Sequence, residues 1–196
     1  MKRNGTPRGD GRPSASISAE ELMDDIARDG SDFAVSNNGQ LWRVAWWPPP
    51  EAPPGTPHGA AAVCVTDDRI VLVSRDGEWW GLPGGRPKPH ERWVDTLRRE
   101  VAEEGCAQVT SCRLLGFSRG VCVRGQQRGL VLVRSMWRAE VRLERWKPRA
   151  EMARRLVPAD EALRSLTTAE GDMTPLYRRM FVEAHLPTDS DDRPNR

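Results

Sequence analysis

The sequence predicts an α+β fold or an α/β/α sandwich with a mixed sheet. Three observations carry that expectation. Strand-like and helix-like stretches are interspersed without a regular βαβ alternation. Two tight-turn signals, Ser36-Asn37-Asn38-Gly39 and Asp67-Asp68-Arg69, each sit between β-rich runs. One long charged stretch, Glu91 to Glu104, carries a helical apolar stripe.

The bulk numbers set the frame. The chain has 196 residues and 38% apolar content, which suits one globular domain with extensions. Its net charge of +2 gives no strong pull toward nucleic acid or membrane. No apolar run reaches the length of a membrane span, and the first residues lack the apolar core of a secretory signal. The four cysteines, Cys64, Cys106, Cys112 and Cys122, form no Cys-x-x-Cys pair. Free thiols and a cytoplasmic protein are therefore expected.

Taken in order, Met1 to Ile17 is rich in Arg, Gly, Pro and Ser and is expected to be disordered. Residues 18–57 form an N-terminal extension. Within it, Ser18 to Arg28 reads as a short helix, with Ser18 and Glu21 as a capping box and Leu22 and Ile26 four apart. Phe33 to Trp47 reads as a hairpin turning on Asn38-Gly39; it adds strands to the domain or forms a lid or dimer contact. The six prolines of Pro48 to Pro57 make an extended connector and a soft boundary.

The main domain is expected over 58–186. Ala60 to Thr66 and Ile70 to Ser74 form a second hairpin. Trp79 to Leu82 is short and extended and runs into Pro83-Gly84-Gly85. The helix from about Glu91 to Glu104 packs Trp93, Val94, Leu97 and Val101 on a sheet. Cys112 to Arg119 and Leu130 to Val141 are strands joined by the polar loop Arg124 to Arg128, with the second extended into Glu140 to Glu151. Ala159 to Leu166 is a short helix. Thr174-Pro175 reads as an N-cap and first-turn proline opening a helix to about His185. Residues 187–196 are a polar tail, expected to be disordered.

The charged helix has an oddity that points to chemistry. Glu100, Glu103 and Glu104 lie at i, i+3 and i+4, so their carboxylates share one face and repel. They also occupy the last turn, where the helix dipole favours cations. A bound divalent cation with oxygen ligands would resolve both penalties.

The stretch around them resembles the Nudix box, the signature of the Nudix hydrolases. Gly85 is followed by five residues and Glu91, then by seven residues and Arg99-Glu100-Val101-Ala102-Glu103-Glu104. The lead-in Trp80-Gly81-Leu82-Pro83-Gly84-Gly85 is also similar. The family's second glycine falls on Cys106, with Gly105 one place early, and Lys88 and His90 stand where an acid and a glycine are common. Those departures leave the charged positions intact.

The resemblance implies a curved mixed sheet and a Mg²⁺- or Mn²⁺-dependent hydrolase of a nucleoside diphosphate linked to another group. It implies metal ligands at Gly85 (carbonyl), Glu100, Glu103 and Glu104, catalytic roles for Glu100, Glu103 and Arg99, and structural roles for Gly84 and Glu91. The general base is Glu100 or a glutamate outside the box, Glu144 or Glu151. Arg75 and Arg86 are candidate phosphate contacts, and Trp80, with Trp79 and Trp137 as alternatives, a base platform. Neither a proline nor a tyrosine stands at 119–126, where other subfamilies carry one, so a (d)NTP-type substrate is slightly favoured. A nucleotide-sensing or protein-binding module without turnover is the competing reading. A small-molecule nucleotide is the expected partner, and a homodimer is possible.

Overall fold

The computed structural model describes residues 32–148, 151–167 and 171–188. Among them are eight strands, β1 (Phe33–Asn37), β2 (Gln40–Trp47), β3 (Thr56–Thr66), β4 (Arg69–Ser74), β5 (Gly84–Gly85), β6 (Ala107–Arg124), β7 (Val131–Leu143) and β8 (Ala153–Pro158). Three helices follow the same numbering: α1 (Trp93–Gly105), α2 (Ala159–Ser165) and α3 (Thr174–Glu183). The helix expected over Ser18 to Arg28 and both chain ends lie outside the described residues.

The strands form one mixed sheet in the order β1-β2-β6-β7-β3-β4-β8, with β5 added beside β3. The β3–β7 pair is parallel and the others are antiparallel. Both hairpin turns form where expected. Asn38 and Gly39, and then Asp67 and Asp68, take the positive φ that a two-residue hairpin turn demands. The first hairpin is an integral part of the sheet, because β2 pairs with β6 from Leu41 to Trp47.

Strand alternation sorts the core into two layers. Val63, Val65, Ile70 and Leu72 belong to the cluster on the α2 and α3 side, where they meet Leu163, Leu176, Met180 and Phe181. Ala60, Ala62, Cys64, Val71 and Val73 belong to the other cluster, with Leu97 and Val101 of α1. Burial pushes the Cys64 thiol above its ordinary pKa, so it stays protonated, as expected of a core cysteine.

The hairpin β3–β4 pairs only at Val65–Ile70 and Thr66–Arg69, next to its turn. Beyond that the strands part and the segment Gly81 to Gly85 fills the gap. Gly81 exchanges two 2.9 Å backbone hydrogen bonds with Val73 of β4. On its other side, Gly84 and Gly85 pair with Ala61 and Ala60 of β3. Side chains would not fit there: a Cβ on Gly84 would lie 2.8 Å from the Ala61 Cα.

Several expectations shift. β8 has no counterpart in the sequence reading; Arg154 and Arg155 interrupt its apolar pattern, yet it pairs with β4 along its whole length. β7 ends at Leu143 rather than running on toward Glu151. Residue Met173, not Thr174, caps α3, and the Asp172 carboxylate accepts the Thr174 amide at 2.9 Å. That moves Pro175 one place into the first turn.

Helix α1 stops because Cys106 takes the left-handed conformation, φ 44° and ψ 54°. That is the usual glycine role at a helix end. Here the cysteine is buried, and its sulfur accepts the Lys147 amide at 3.4 Å. A β-branched side chain is much less tolerant of this backbone. Cys106→Val is expected to destabilise the fold by about 1–2 kcal/mol, while Cys106→Gly stays within about 1 kcal/mol of the parent. Urea unfolding of the two variants checks this; equal losses would mean that the cost lies in the lost thiol contacts.

Candidate active site

The site is built where β5 and the last two turns of α1 meet. Arg99 is its centre. Its Nε and Nη2 donate to the two Glu91 carboxylate oxygens, both at 2.8 Å. Nη1 donates to Glu100 at 2.7 Å and reaches Glu103 at 3.4 Å. Nη2 also donates to the Arg86 carbonyl at 2.9 Å. One planar fork thus ties three carboxylates to the loop that follows β5, a geometry a lysine ammonium does not offer.

Glu91 receives more than Arg99. Its carboxylate also accepts the Lys88 amide at 2.8 Å and the Thr96 hydroxyl at 2.9 Å. This fixes the loop to the start of α1. The Arg99 hydrogen bonds, then the Lys88 amide, hold the Glu91 carboxyl down at about 2 from an ordinary value of 4.5. The hydrogen bonds to Glu91 raise the Arg99 pKa, with Glu100 adding to them, so Arg99 stays charged.

Glu104 is held differently. One oxygen accepts the Gly84 amide at 3.1 Å and the other accepts from Arg75 at 3.2 Å. Burial raises its pKa, against the opposing pull of the Gly84 amide and Arg75. Gly85 presses on Glu100: a Cβ there would stand 2.8 Å from Oε2. The glycine pair therefore brings backbone carbonyl and carboxylate oxygens together without side chains between them.

The donor set suits a hard divalent cation. Glu91, Glu100, Glu103 and Glu104 face two guanidinium groups, Arg99 and Arg75, and the Arg75 side chain is 81% exposed. An exposed ion pair of that kind is worth little and yields readily to a stronger cation. Among the described residues no three acidic, histidine or cysteine side chains already converge around one ion position. Their oxygens are turned toward Arg99, Arg75 and the Gly84 amide instead.

A cavity of about 770 Å³, walled in part by Leu176 and Met180 of α3, opens beside this cluster, and Gly84 and Arg86 lie in its wall. Asn37, Asn38, Gln40 and Trp42 of the first hairpin form another part of that wall, with Gln127 from the β6–β7 loop. Tyr177 of α3 and Arg134 of β7 add to the polar lining, and among the described residues no carboxylate contributes. His58 also lines it; burial first, then Arg134 and Arg86, lower its pKa to about 4, so it is neutral at pH 7.

The expected substrate contacts divide. Arg86 lines the cavity. Arg75 lies outside the lining and pairs with Glu104. Trp80 is corrected from platform to core: it is buried, its Nε1 donates to the Gly77 carbonyl at 3.1 Å, and Arg155 stacks 4.2 Å above its ring. Among the described residues, Trp42 is the tryptophan in the cavity wall. Glu144 and Glu151 are both exposed and neither lines the cavity.

A model of the NUDIX domain matches residues 56–180, more than half of the chain. The chain belongs to the Nudix family. Membership brings the family's reaction class, hydrolysis of a pyrophosphate bond. The Nudix fold is shared with a mutant form of the Bacillus subtilis pyrophosphohydrolase BsRppH, 21% identical at a TM-score of 0.53 over 64% of this chain and 76% of that one. Also similar are the E. coli ORF135 protein, at 22% identity and TM-score 0.49 over 69% and 96% of the two chains, and a Burkholderia pseudomallei MutT Nudix hydrolase, at 24% and 0.43 over 54% and 85%. No curated protein matches the chain.

The Glu91 carboxyl supplies a pH test. Its folded-state pKa is depressed, so its contribution is complete above about 4.5 and is lost as pH falls toward about 2. The stability gap between the parent and Glu91→Gln is expected to be widest near neutral pH and to narrow below pH 4.5. Urea unfolding at pH 7 and pH 3 measures it; a gap independent of pH would show that the Glu91 charge contributes nothing.

Proposed function

We propose that this Nudix protein hydrolyses a nucleotide pyrophosphate, a (d)NTP-type substrate favoured, with Mg²⁺ or Mn²⁺ held by Glu100, Glu103, Glu104 and the Gly85 carbonyl. The observation that carries this reading is the placement of the carboxylate cluster at the edge of a cavity with Arg86 in its wall and no acidic side chain among its described lining residues. The cavity accepts an anionic, partly apolar molecule of nucleotide size.

The cation, when bound, screens the phosphate charge and lowers the pKa of a bound water. The chain's own residues do the positioning. Arg99 holds Glu100 and Glu103 on one side while tying Glu91 to the loop, so the ligand carboxylates start near their working positions. Gly84 presents its amide to Glu104 and keeps that carboxylate at β5. Glu100 lies against Gly85, and with Glu144 and Glu151 both solvent-exposed it is the proton acceptor for the attacking water in this reading. Arg86 meets the phosphates where cavity and box join. Trp42 and the amides of Asn37, Gln40 and Gln127 offer a stacking face and hydrogen bonds to a base.

A panel of nucleoside triphosphates, dinucleoside polyphosphates and nucleotide sugars, assayed with Mg²⁺ and Mn²⁺, tests the reading. Glu103→Gln and Glu104→Gln are each expected to lower kcat/KM by about 100-fold or more. Arg99→Lys should lose about 10- to 100-fold, since a point charge does not replace the fork. Tight nucleotide binding without turnover of any substrate would instead support a sensing module. Turnover that survives both glutamate substitutions would remove the metal assignment.

A further inference from the structure

Strand β7 lays Leu132, Arg134 and Met136 along one face, and all three line the cavity. The flanking positions are apolar, as that face requires. Arg134 breaks the pattern with a permanent positive charge. Among the described residues its guanidinium makes no ion pair or hydrogen bond. Desolvation and the nearby Arg86 both lower its pKa, while Tyr177 acts on it in the opposite direction. Arg134 is solvent-accessible and lies next to a second cation, in a cavity to whose wall no carboxylate contributes among the described residues.

Its position relative to the box is given by Gly59. A Cβ at Gly59 would stand 3.0 Å from the Gly85 carbonyl oxygen and 3.4 Å from the Arg134 Nε. Arg134 and the expected metal-ligating carbonyl thus flank the same small notch in β3. Because Gly59 has no side chain, the space between them stays open. Arg86, the residue after Gly85, is close enough to lower the His58 pKa together with Arg134.

We propose that Arg134 is a phosphate-binding residue, which with Arg86 grips the phosphate chain of the substrate between the Gly84-Gly85 loop and the hairpin end of the cavity. Two mutually repelling guanidinium groups, with no carboxylate among the described residues lining the cavity, are relieved by a polyanion that bridges both. The arrangement selects substrates carrying a run of phosphates over those with a single phosphate. Neutral His58 and the Tyr177 hydroxyl supply further hydrogen bonds without changing the charge. Arg134 holds the substrate equally in ground and transition states, so its role is selective binding rather than chemistry.

This inference rests on the cavity being the nucleotide site, and its test separates the two. In the full chain with EDTA present, so that no metal takes part, inorganic tripolyphosphate binding is measured by titration calorimetry. Arg134→Gln is expected to weaken it about 10- to 100-fold, the effect of losing a charge-assisted contact. Arg134→Lys should recover part of the loss and also guards against misfolding of the glutamine variant. Arg69→Gln, at the exposed start of β4, should match the parent. With Mg²⁺ and a turned-over nucleotide, Arg134→Gln should raise KM by a similar factor and leave kcat within about threefold. Unchanged tripolyphosphate affinity in Arg134→Gln, or a loss confined to kcat, overturns the assignment. Weakened binding in a protein that turns over no nucleotide would uphold the phosphate site and reject the enzymatic reading instead.

Discussion

A close backbone approach sets the geometry of both sheet and site. Strands β3 and β4 separate after two paired rungs, and Gly81 to Gly85 closes the gap by bonding to both. A segment inserted into a sheet at that spacing has no room for a Cβ at Gly84, where Ala61 and the Ala60 carbonyl stand, or at Gly85, where Glu100 stands. The glycines are thus needed for contact more than for flexibility. Their insertion holds a carbonyl and an amide at the level of the last two turns of α1, so helix carboxylates and loop backbone address one point.

Once that approach is in place, charge has to be managed. Three carboxylates gathered in the last turns of α1 oppose both one another and the helix dipole, and Glu91 adds a fourth nearby. The structure offsets this with one cation of suitable shape. Arg99 is mostly buried, with its side chain 17% exposed, and it divides its donors among Glu91, Glu100, Glu103 and the Arg86 carbonyl. Arg75 meets the remaining glutamate, but from solvent. The two cations therefore differ in kind. The first is a fixed part of the scaffold, and the second is a loosely held counter-ion on Glu104.

The parts legible in the sequence were those coded locally. Asn38-Gly39 and Asp67-Asp68 announce their turns because few residues tolerate positive φ. The apolar stripe of α1 is readable because Leu97 and Val101 are a turn apart and both reach the core. The box glutamates were readable from their spacing. What was hidden depends on tertiary partners. Strand β8 carries two arginines and becomes a strand only because β4 offers an edge. Trp80 and Trp42 are indistinguishable as residues, yet one is enclosed by the core and the other lines the cavity. The first hairpin announced itself as strands, but nothing local to it showed that its Asn37, Gln40 and Trp42 would share a cavity with the box loop.

Arg134 falls between these cases. The alternation of β7 is plain in the sequence, and a charge between Leu132 and Met136 marks an inward-facing exception to it. Such an exception is costly in a closed core and tolerable in a cavity, because water or an anion can meet the charge there. Its meaning therefore turned on a fact that only the fold supplies: that this face of β7 lines open space beside the Gly84-Gly85 loop. The same condition explains why Arg86 and His58 are informative only in company. Singly, each is an ordinary polar residue near a loop. Around one cavity, burial keeps His58 neutral, and the positive charges of Arg134 and Arg86 add to it. The site is consequently divided by the Gly84-Gly85 strand into an acidic side suited to cations and a basic side suited to phosphates. A pyrophosphate bound to a divalent cation is a ligand that satisfies both sides at once.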